Sequence, residues 1–313
     1  MRENGRYYLN GKRYYTMAQY CQERYGSRIV KIPLSSGMTC PNRDGTKGTG
    51  GCTFCTLVGD GPSTSTPPSL RVQYEEGLRL TNKWGNARPV AYFQSFSNTY
   101  APVGRVEELL CETLKLDGLA GIRLATRADC LDSPMVDLLA YYANKTTLEI
   151  EIGLQTVFDQ TAQAVNRCHT FEAFSEGYLR LKNKNIYTCV HLINGLPQET
   201  TEMMLQTAKV LATLRPNGIK LHMLHLLEGT PLAQTYAKSP FTLLSQGAYV
   251  DVVCQQLRHF APDTVIERLT GDGEKNALIA PLWTLNKRKV LNAIDMSLAR
   301  QNIWQGDCWE EKA

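Results

Sequence analysis

From about residue 29 onward, short runs of β-branched and apolar residues alternate with longer stretches whose apolar positions recur at helical spacing. The short runs predict strands at Ile29–Leu34, Pro89–Ser95, Gly121–Ala125, Leu148–Leu154, Ile186–Asn194 and Gly218–Leu226, with helices between them. The stretch 201–214 shows the helical period well. Met204, Ala208, Leu211 and Ala212 fall at i, i+4, i+7 and i+8, and Asn217-Gly218 supplies a stop. Asp159 is placed to N-cap another helix. Such alternation is the sequence form of βα units repeated around a parallel sheet. Six units are too few to close the usual eight-stranded barrel. The expected α/β architecture is therefore a partial (β/α)6 barrel, open on one side, with ligands gathered at the carboxyl ends of its strands.

After about residue 240 the alternation fades into two or three helical stretches and one short apolar run near Thr264–Glu267. The expected organisation is a basic N-terminal extension (1–28), the partial barrel (29–240) and a small, mainly helical C-terminal subdomain (241–313). An irregular loop is expected at Pro62–Pro68. With 43% apolar and 20% charged residues and no low-complexity tract, a folded chain is the default. No stretch approaches the ~20 apolar residues of a membrane span, and the polar segment Met1–Arg6 lacks the apolar core of a signal peptide. The expectation is a cytoplasmic protein without a membrane partner.

Charge and cysteine change this picture at two places. Residues 1–31 carry Arg2, Arg6, Lys12, Arg13, Arg24, Arg28 and Lys31 against Glu3 and Glu23, although the whole chain is only +4. Tyr7, Tyr8, Tyr14, Tyr15, Tyr20 and Tyr25 lie in the same segment. Basic charge interleaved with aromatic rings suits phosphate contact and base stacking, with Arg2, Arg6, Lys12 and Arg13 the candidate RNA contacts. The alternative is a solvated edge whose tyrosines pack on the main domain. In a reducing compartment ten cysteines point to metal or redox chemistry rather than disulfides. Most, including Cys111, Cys189 and Cys254, sit singly among apolar residues and are expected to pack as small hydrophobes.

One group has ligand-like spacing: Cys40-Pro-Asn-Arg-Asp-Gly-Thr-Lys-Gly-Thr-Gly-Gly-Cys52-Thr-Phe-Cys55, in the loop after the first predicted strand. Four glycines let the backbone close around a compact inorganic group. A closed [4Fe–4S] cluster takes four cysteines, and a structural zinc site takes four ligands. Three thiolates would leave one iron open to chelate a small molecule.

The string resembles the radical S-adenosylmethionine (SAM) superfamily, in which three loop cysteines hold three irons and the fourth iron binds the amino and carboxylate groups of SAM. Phe54 before the last cysteine matches that pattern. The common spacing there is Cys-x3-Cys-x2-Cys, whereas this chain has Cys-x11-Cys-x2-Cys. The expanded string is similar to the YhcC/YtqA-like branch. Gly153-Leu154-Gln155-Thr156, Asn166-Arg167-Cys168-His169 and Asn194-Gly195-Leu196-Pro197 resemble segments of the coproporphyrinogen oxidase-like and elongator-like enzymes. The resemblance implies a [4Fe–4S] cluster on Cys40, Cys52 and Cys55. It also implies SAM contacts from Gln155, Arg167, Glu151 and Ser97, the arginine facing the methionyl carboxylate, where a guanidinium pairs in bidentate fashion.

Function follows as an expectation from the same resemblance. A reduced cluster, fed by a low-potential donor such as flavodoxin or ferredoxin, would cleave SAM to a 5′-deoxyadenosyl radical. The implied partner is tRNA, with 5-carboxymethylaminomethyl converted to 5-aminomethyl at the wobble uridine. Two rivals stand beside it: a radical SAM enzyme for a small carboxylate-bearing metabolite, and a zinc-containing RNA-binding protein. His191, His222 and His225, in or beside apolar strands, are left without a role.

Overall fold

A computed structural model of the chain describes residues 8–56, 68–81, 85–271, 273 and 275–310. Its strands are β1 (Ile29–Leu34), β2 (Arg88–Phe93), β3 (Gly121–Thr126), β4 (Leu148–Gln155), β5 (Tyr187–Asn194), β6 (Gly218–Met223), β7 (Leu226–Leu227), β8 (Val265–Arg268) and β9 (Leu278–Ala280). The α-helices are α1 (Met17–Tyr25), α2 (Leu70–Thr81), α3 (Val103–Thr113), α4 (Ser133–Ala143), α5 (Asp159–Ala164), α6 (Phe171–Asn183), α7 (Thr201–Leu214), α8 (Pro231–Lys238), α9 (Gln246–Leu257) and α10 (Lys287–Arg300). One sheet orders its strands β1-β2-β3-β4-β5-β6-β8, while β7 and β9 form a separate antiparallel pair. Near-sequential order is what consecutive βα crossovers produce.

The described residues fall into two compact units. One comprises Cys21–Gly153 and Asn166–Cys189; the other holds the chain up to Tyr20, Leu154–Val165 and Val190 onward. In the first, β1, β2, β3 and β4 are parallel neighbours, with Ile29 opposite Arg88, Val90 opposite Gly121 and Ile122 opposite Leu148. Phe93, Leu109, Leu110, Ile122, Leu124 and Phe174 are fully buried in its core. Threonine and aspartate side chains start two of its helices: Asp132 accepts from the Met135 amide and Thr170 from the Ala173 amide.

The second unit corrects the strand count. The short run near Thr264–Glu267 becomes β8, parallel to β6 with Gly218 opposite Val265, so the sheet has seven strands rather than six. The run looked isolated because its sheet partner lies more than forty residues earlier. The predicted strand Gly218–Leu226 ends at Met223, where the Leu224 amide turns to the Asn194 carbonyl. Helix α7 stops before Asn217-Gly218, because Arg215 adopts a left-handed conformation (φ 52°) ahead of Pro216. Asp159 is not a cap: Phe158 holds that position and Asp159 is the first helical residue.

Residues 8–20 belong to this unit. Tyr14 and Tyr15 are buried, the Tyr15 amide donates to Gln305, and Tyr8 stacks on Trp304 at 6.2 Å. These rings pack the protein, as Tyr25 does in the first unit. Arg2, Arg6, Tyr7 and the loop Pro62–Pro67 lie outside the described residues.

Candidate functional site

The loop after β1 owes its form to a backbone that doubles back. The Pro41 carbonyl accepts from the Lys47 and Gly48 amides, and the Asn42 carbonyl accepts from the Gly51 amide at 2.8 Å. Asp44 and Thr49 pair as an isolated antiparallel bridge. Residues 43–50 are thereby looped out, and Gly51 is stitched beside Asn42. Counted across that stitch, Cys40 and Cys52 are separated by Pro41, Asn42 and Gly51 alone. The long spacing is thus a Cys-x3-Cys-x2-Cys motif carrying an excursion. Gly48 lets the loop pack closely there, since a Cβ would lie 2.2 Å from Asn42 Oδ1 and 2.7 Å from Cys168 Sγ and would make those side chains shift.

Polar groups converge on Cys52, which is buried. Asn42 Nδ2 lies 3.6 Å and Arg167 Nη1 3.9 Å from its sulfur. A hydrogen bond from Cys55 and the charges of Arg167 and Arg127 bring the Cys52 thiol down to about 5, against the effect of burial. Cys40 also lies within the field of Arg127. Arg127 in turn is fixed by a two-pronged pair with Asp129, both contacts 2.9 Å, and donates to the Arg167 and Cys168 carbonyls. Burial would raise Asp129, but its bonds to Arg127 outweigh that and hold it near 2. Lys47, on the excursion, reaches the same carboxylate at 3.0 Å. Asn166 donates to the Thr49 and Gly51 carbonyls, tying the loop to the segment that carries Arg167.

Among the described residues no three His, Cys, Asp or Glu side chains already stand as a metal-gripping set. The chemistry of the donors nevertheless suits an anionic iron–sulfur cluster: three thiols on one loop, one readily a thiolate, beside two guanidinium groups and an amide N–H aimed at sulfur.

The other expected site residues separate into distinct settings. Ser97 is fully buried; its amide donates to Thr39, next to Cys40, and its hydroxyl has no hydrogen-bond partner among the described residues. Nearby, the Asn98 amide takes the Phe93 and Ser95 carbonyls, which is why β2 stops at Phe93 rather than Ser95. Glu151 accepts from Tyr92 at 2.8 Å, Lys31 at 3.1 Å and Arg123 at 3.0 Å. In the second unit Gln155 ends β4 with φ 73° and a buried Oε1 lacking a partner among the described residues. Lys12 pairs with Asp295, and Arg13 donates to Asn302 at 2.9 Å and lies over Trp304. Cys189 and Cys254 are buried as expected, but Cys111 is exposed on α3, hydrogen-bonded to Tyr142. The α3 position follows helical period, and the cysteine falls on its outer face.

Sequence reasoning missed Asn42, Arg127 and Asp129. A charged Arg-x-Asp directly after a buried strand was the available signal, because carboxyl ends of strands are where sites are built.

Behind Gln155, Thr156 donates to Glu199. Burial raises the Glu199 carboxyl to about 7 in spite of hydrogen bonds from Thr156 and Thr161. A carboxyl raised on folding favours the folded state below its unfolded value and loses that contribution as pH climbs towards 7. Glu199→Gln is therefore expected to flatten stability between pH 5 and 8 and to gain up to about 3 kcal/mol over the parent at pH 8. Urea unfolding at both pH values checks this; an equal difference at the two would refute it.

Sheet order, the loop geometry and three thiols carried on one loop fit a radical SAM protein, and the comparisons show that family. The chain belongs to the radical SAM superfamily: the model for that superfamily matches residues 40–211, and the Radical_SAM C-terminal domain model matches residues 216–300. Within it the chain falls in the YhcC/YtqA-like family. It is 43% identical to YtqA of Bacillus subtilis over 94% of this chain and 92% of that protein. It is 30% identical to YhcC of Escherichia coli K12 over 90% of each. The solved structure of the archaeal Methanocaldococcus infernus Elp3 shares the fold, with a TM-score of 0.64 at 13% identity, covering 88% of this chain and 64% of that one. The fold is accordingly the parallel partial barrel of the superfamily. Among the described residues no helix is long and apolar enough to cross a membrane.

Proposed function

We propose that this chain holds a [4Fe–4S] cluster on Cys40, Cys52 and Cys55, uses it on SAM, and acts on the wobble uridine side chain of tRNA. The observation that carries the chemistry is the stitched loop, which restores the short cysteine spacing of the superfamily. When bound, the cluster and SAM together supply a 5′-deoxyadenosyl radical that removes hydrogen from a substrate.

The chain's residues would position those groups. Asn42 and Arg167 direct N–H groups at the Cys52 sulfur. Ser97 and Gln155 each offer a buried oxygen that a ligand would satisfy, because orphaned buried polar atoms are uncommon in native proteins. Arg167, whose Nη2 already holds the Gly153 carbonyl, keeps a buried Nε for the methionyl carboxylate. Glu151 has the least spare capacity, since Lys31, Tyr92 and Arg123 already occupy it.

The tRNA substrate rests on the likeness to the YhcC/YtqA-like branch and on the basic N-terminal segment. The test starts from anaerobically reconstituted protein, SAM and a low-potential donor such as flavodoxin or ferredoxin. With tRNA carrying 5-carboxymethylaminomethyluridine, deoxyadenosine should form and the nucleoside should become 5-aminomethyluridine by mass spectrometry. SAM cleavage with unchanged tRNA would favour a small carboxylate-bearing metabolite; zinc in place of iron would favour the RNA-binding reading. Neutralising Arg2, Arg6, Lys12 and Arg13 together should weaken tRNA binding and flatten its salt dependence, the log–log slope falling by about 0.9 for every phosphate that is no longer neutralised. Binding indifferent to both changes would remove the N-terminal segment from the interface.

A further inference from the structure

The second unit contains a largely buried cluster of polar side chains that the proposed chemistry leaves unused. Lys220 and His222 lie two residues apart on β6 and so share one face of the sheet. His191 on β5 brings its ring to 5.5 Å from that of His222. Across the other edge of β6, Arg268 is the register partner of Lys220. His225 follows β6 and packs so closely on the segment after β8 that a Cβ at Gly271 would lie 2.3 Å from its Cε1. Among the described residues, the charged neighbours that act most on His222 after burial are His191, Arg268, Lys220 and His225. Glu267 precedes Arg268 on β8 and is the acid of that strand.

His222 Nε2 and Thr270 Oγ1 in this region are buried and lack a hydrogen-bond partner among the described residues. They follow Leu221 and Leu269, whose carbonyls both accept from the one Tyr249 hydroxyl, so β6 and β8 are pinned together just where these atoms emerge. A metal ion does not fit this set. Lys220 and Arg268 carry fixed positive charge, and no metal-gripping group is present among the described residues. Fixed cations beside unsatisfied donors, near the carboxyl ends of strands, fit an anion.

We propose that His191, Lys220, His222 and Arg268 form a binding site for a carboxylate of the substrate. The inference rests on the reading of the substrate as a carboxymethylaminomethyl uridine, and it assigns to this face the recognition of the very group that distinguishes substrate from product. Arg268 and Lys220 supply charge, and His222 Nε2 and Thr270 Oγ1 supply directed donors.

The test follows the histidine ring signals of the intact protein by NMR. Four probes are added: 5-carboxymethylaminomethyluridine, 5-aminomethyluridine, succinate and inorganic phosphate. The His191 and His222 signals should move with the carboxymethylated nucleoside and with succinate, and not with 5-aminomethyluridine. Arg268→Gln and, separately, His222→Asn should each weaken the response to the carboxymethylated nucleoside about tenfold or more, as the loss of a charge-assisted hydrogen bond does. Signals moved by phosphate alone overturn the carboxylate assignment, and signals moved by none of the probes overturn the site. A response to succinate in a protein that leaves tRNA unmodified would retain the site while rejecting the tRNA reading. Comparison of far-UV circular dichroism with the parent excludes misfolding of either variant.

Discussion

Replacing Cys52 by alanine is expected to abolish the iron–sulfur cluster, with iron after anaerobic reconstitution falling from about four per chain to near zero and deoxyadenosine formation lost with it. Three thiolates are the minimum for a cluster with one open iron, so there is no reserve ligand on the loop. Cys40→Ala and Cys55→Ala should behave alike. The informative contrast is with Cys130 and Cys168. Cys130 lies close enough to Cys40 to feel its charge, and Cys168 packs against Gly48. Their alanine variants should keep iron, because neither lies on the Cys40–Cys55 loop. Asn42→Leu should fall between, weakening iron retention roughly 10–100-fold, since it removes an N–H directed at sulfur while leaving all three thiols. Retention of full iron by Cys52→Ala, or its loss in Cys168→Ala, would overturn the ligand assignment.

The largest expected effect on stability lies at Arg123, which is wholly buried in β3 and pairs with Glu149 and Glu151 on β4. Tyr25 also donates to Glu149, and Lys31 and Tyr92 donate to Glu151. Arg123→Met fits the volume but removes the cation that both carboxylates share, in a medium that solvates them poorly. The loss should be about 3–5 kcal/mol, lowering the melting temperature by about 10 °C or more. Adding Glu149→Gln to the variant should recover part of that loss, because it removes the charge rather than restoring its partner. A single variant within about 1 kcal/mol of the parent would mean that water or a rearranged Lys31 compensates.

Much of the fold was legible because hydrophobic runs report burial directly. β1 begins and ends where its apolar run does, and α7 spans its predicted 201–214. What escaped was decided by partners distant in sequence. β8 gains its place only from β6, and the end of β2 is set by the Asn98 side chain taking carbonyls that would otherwise continue the ladder. The site divided similarly. Thiol spacing pointed to the loop, whereas the Arg127-x-Asp129 pair after β3 marks a strand end without naming its partner, a main-chain carbonyl forty residues away. The N-terminal tyrosines mislead for the opposite reason: Tyr14 and Tyr15 have the composition of a stacking surface and the burial of a core.

The stitch between Asn42 and Gly51 also bears on how such chains diversify. Because backbone hydrogen bonds close the excursion at its base, residues 43–50 form a side branch whose length is uncoupled from the placement of the thiols. Insertions or deletions there alter what the branch can touch, such as Asp129 through Lys47 and Tyr100 through Thr46, without moving the stitch between Asn42 and Gly51. Lineages can therefore lengthen, shorten or redecorate this segment as an accessory, and a search keyed to the number of residues between the first two cysteines would pass over proteins whose three-dimensional motif is the same.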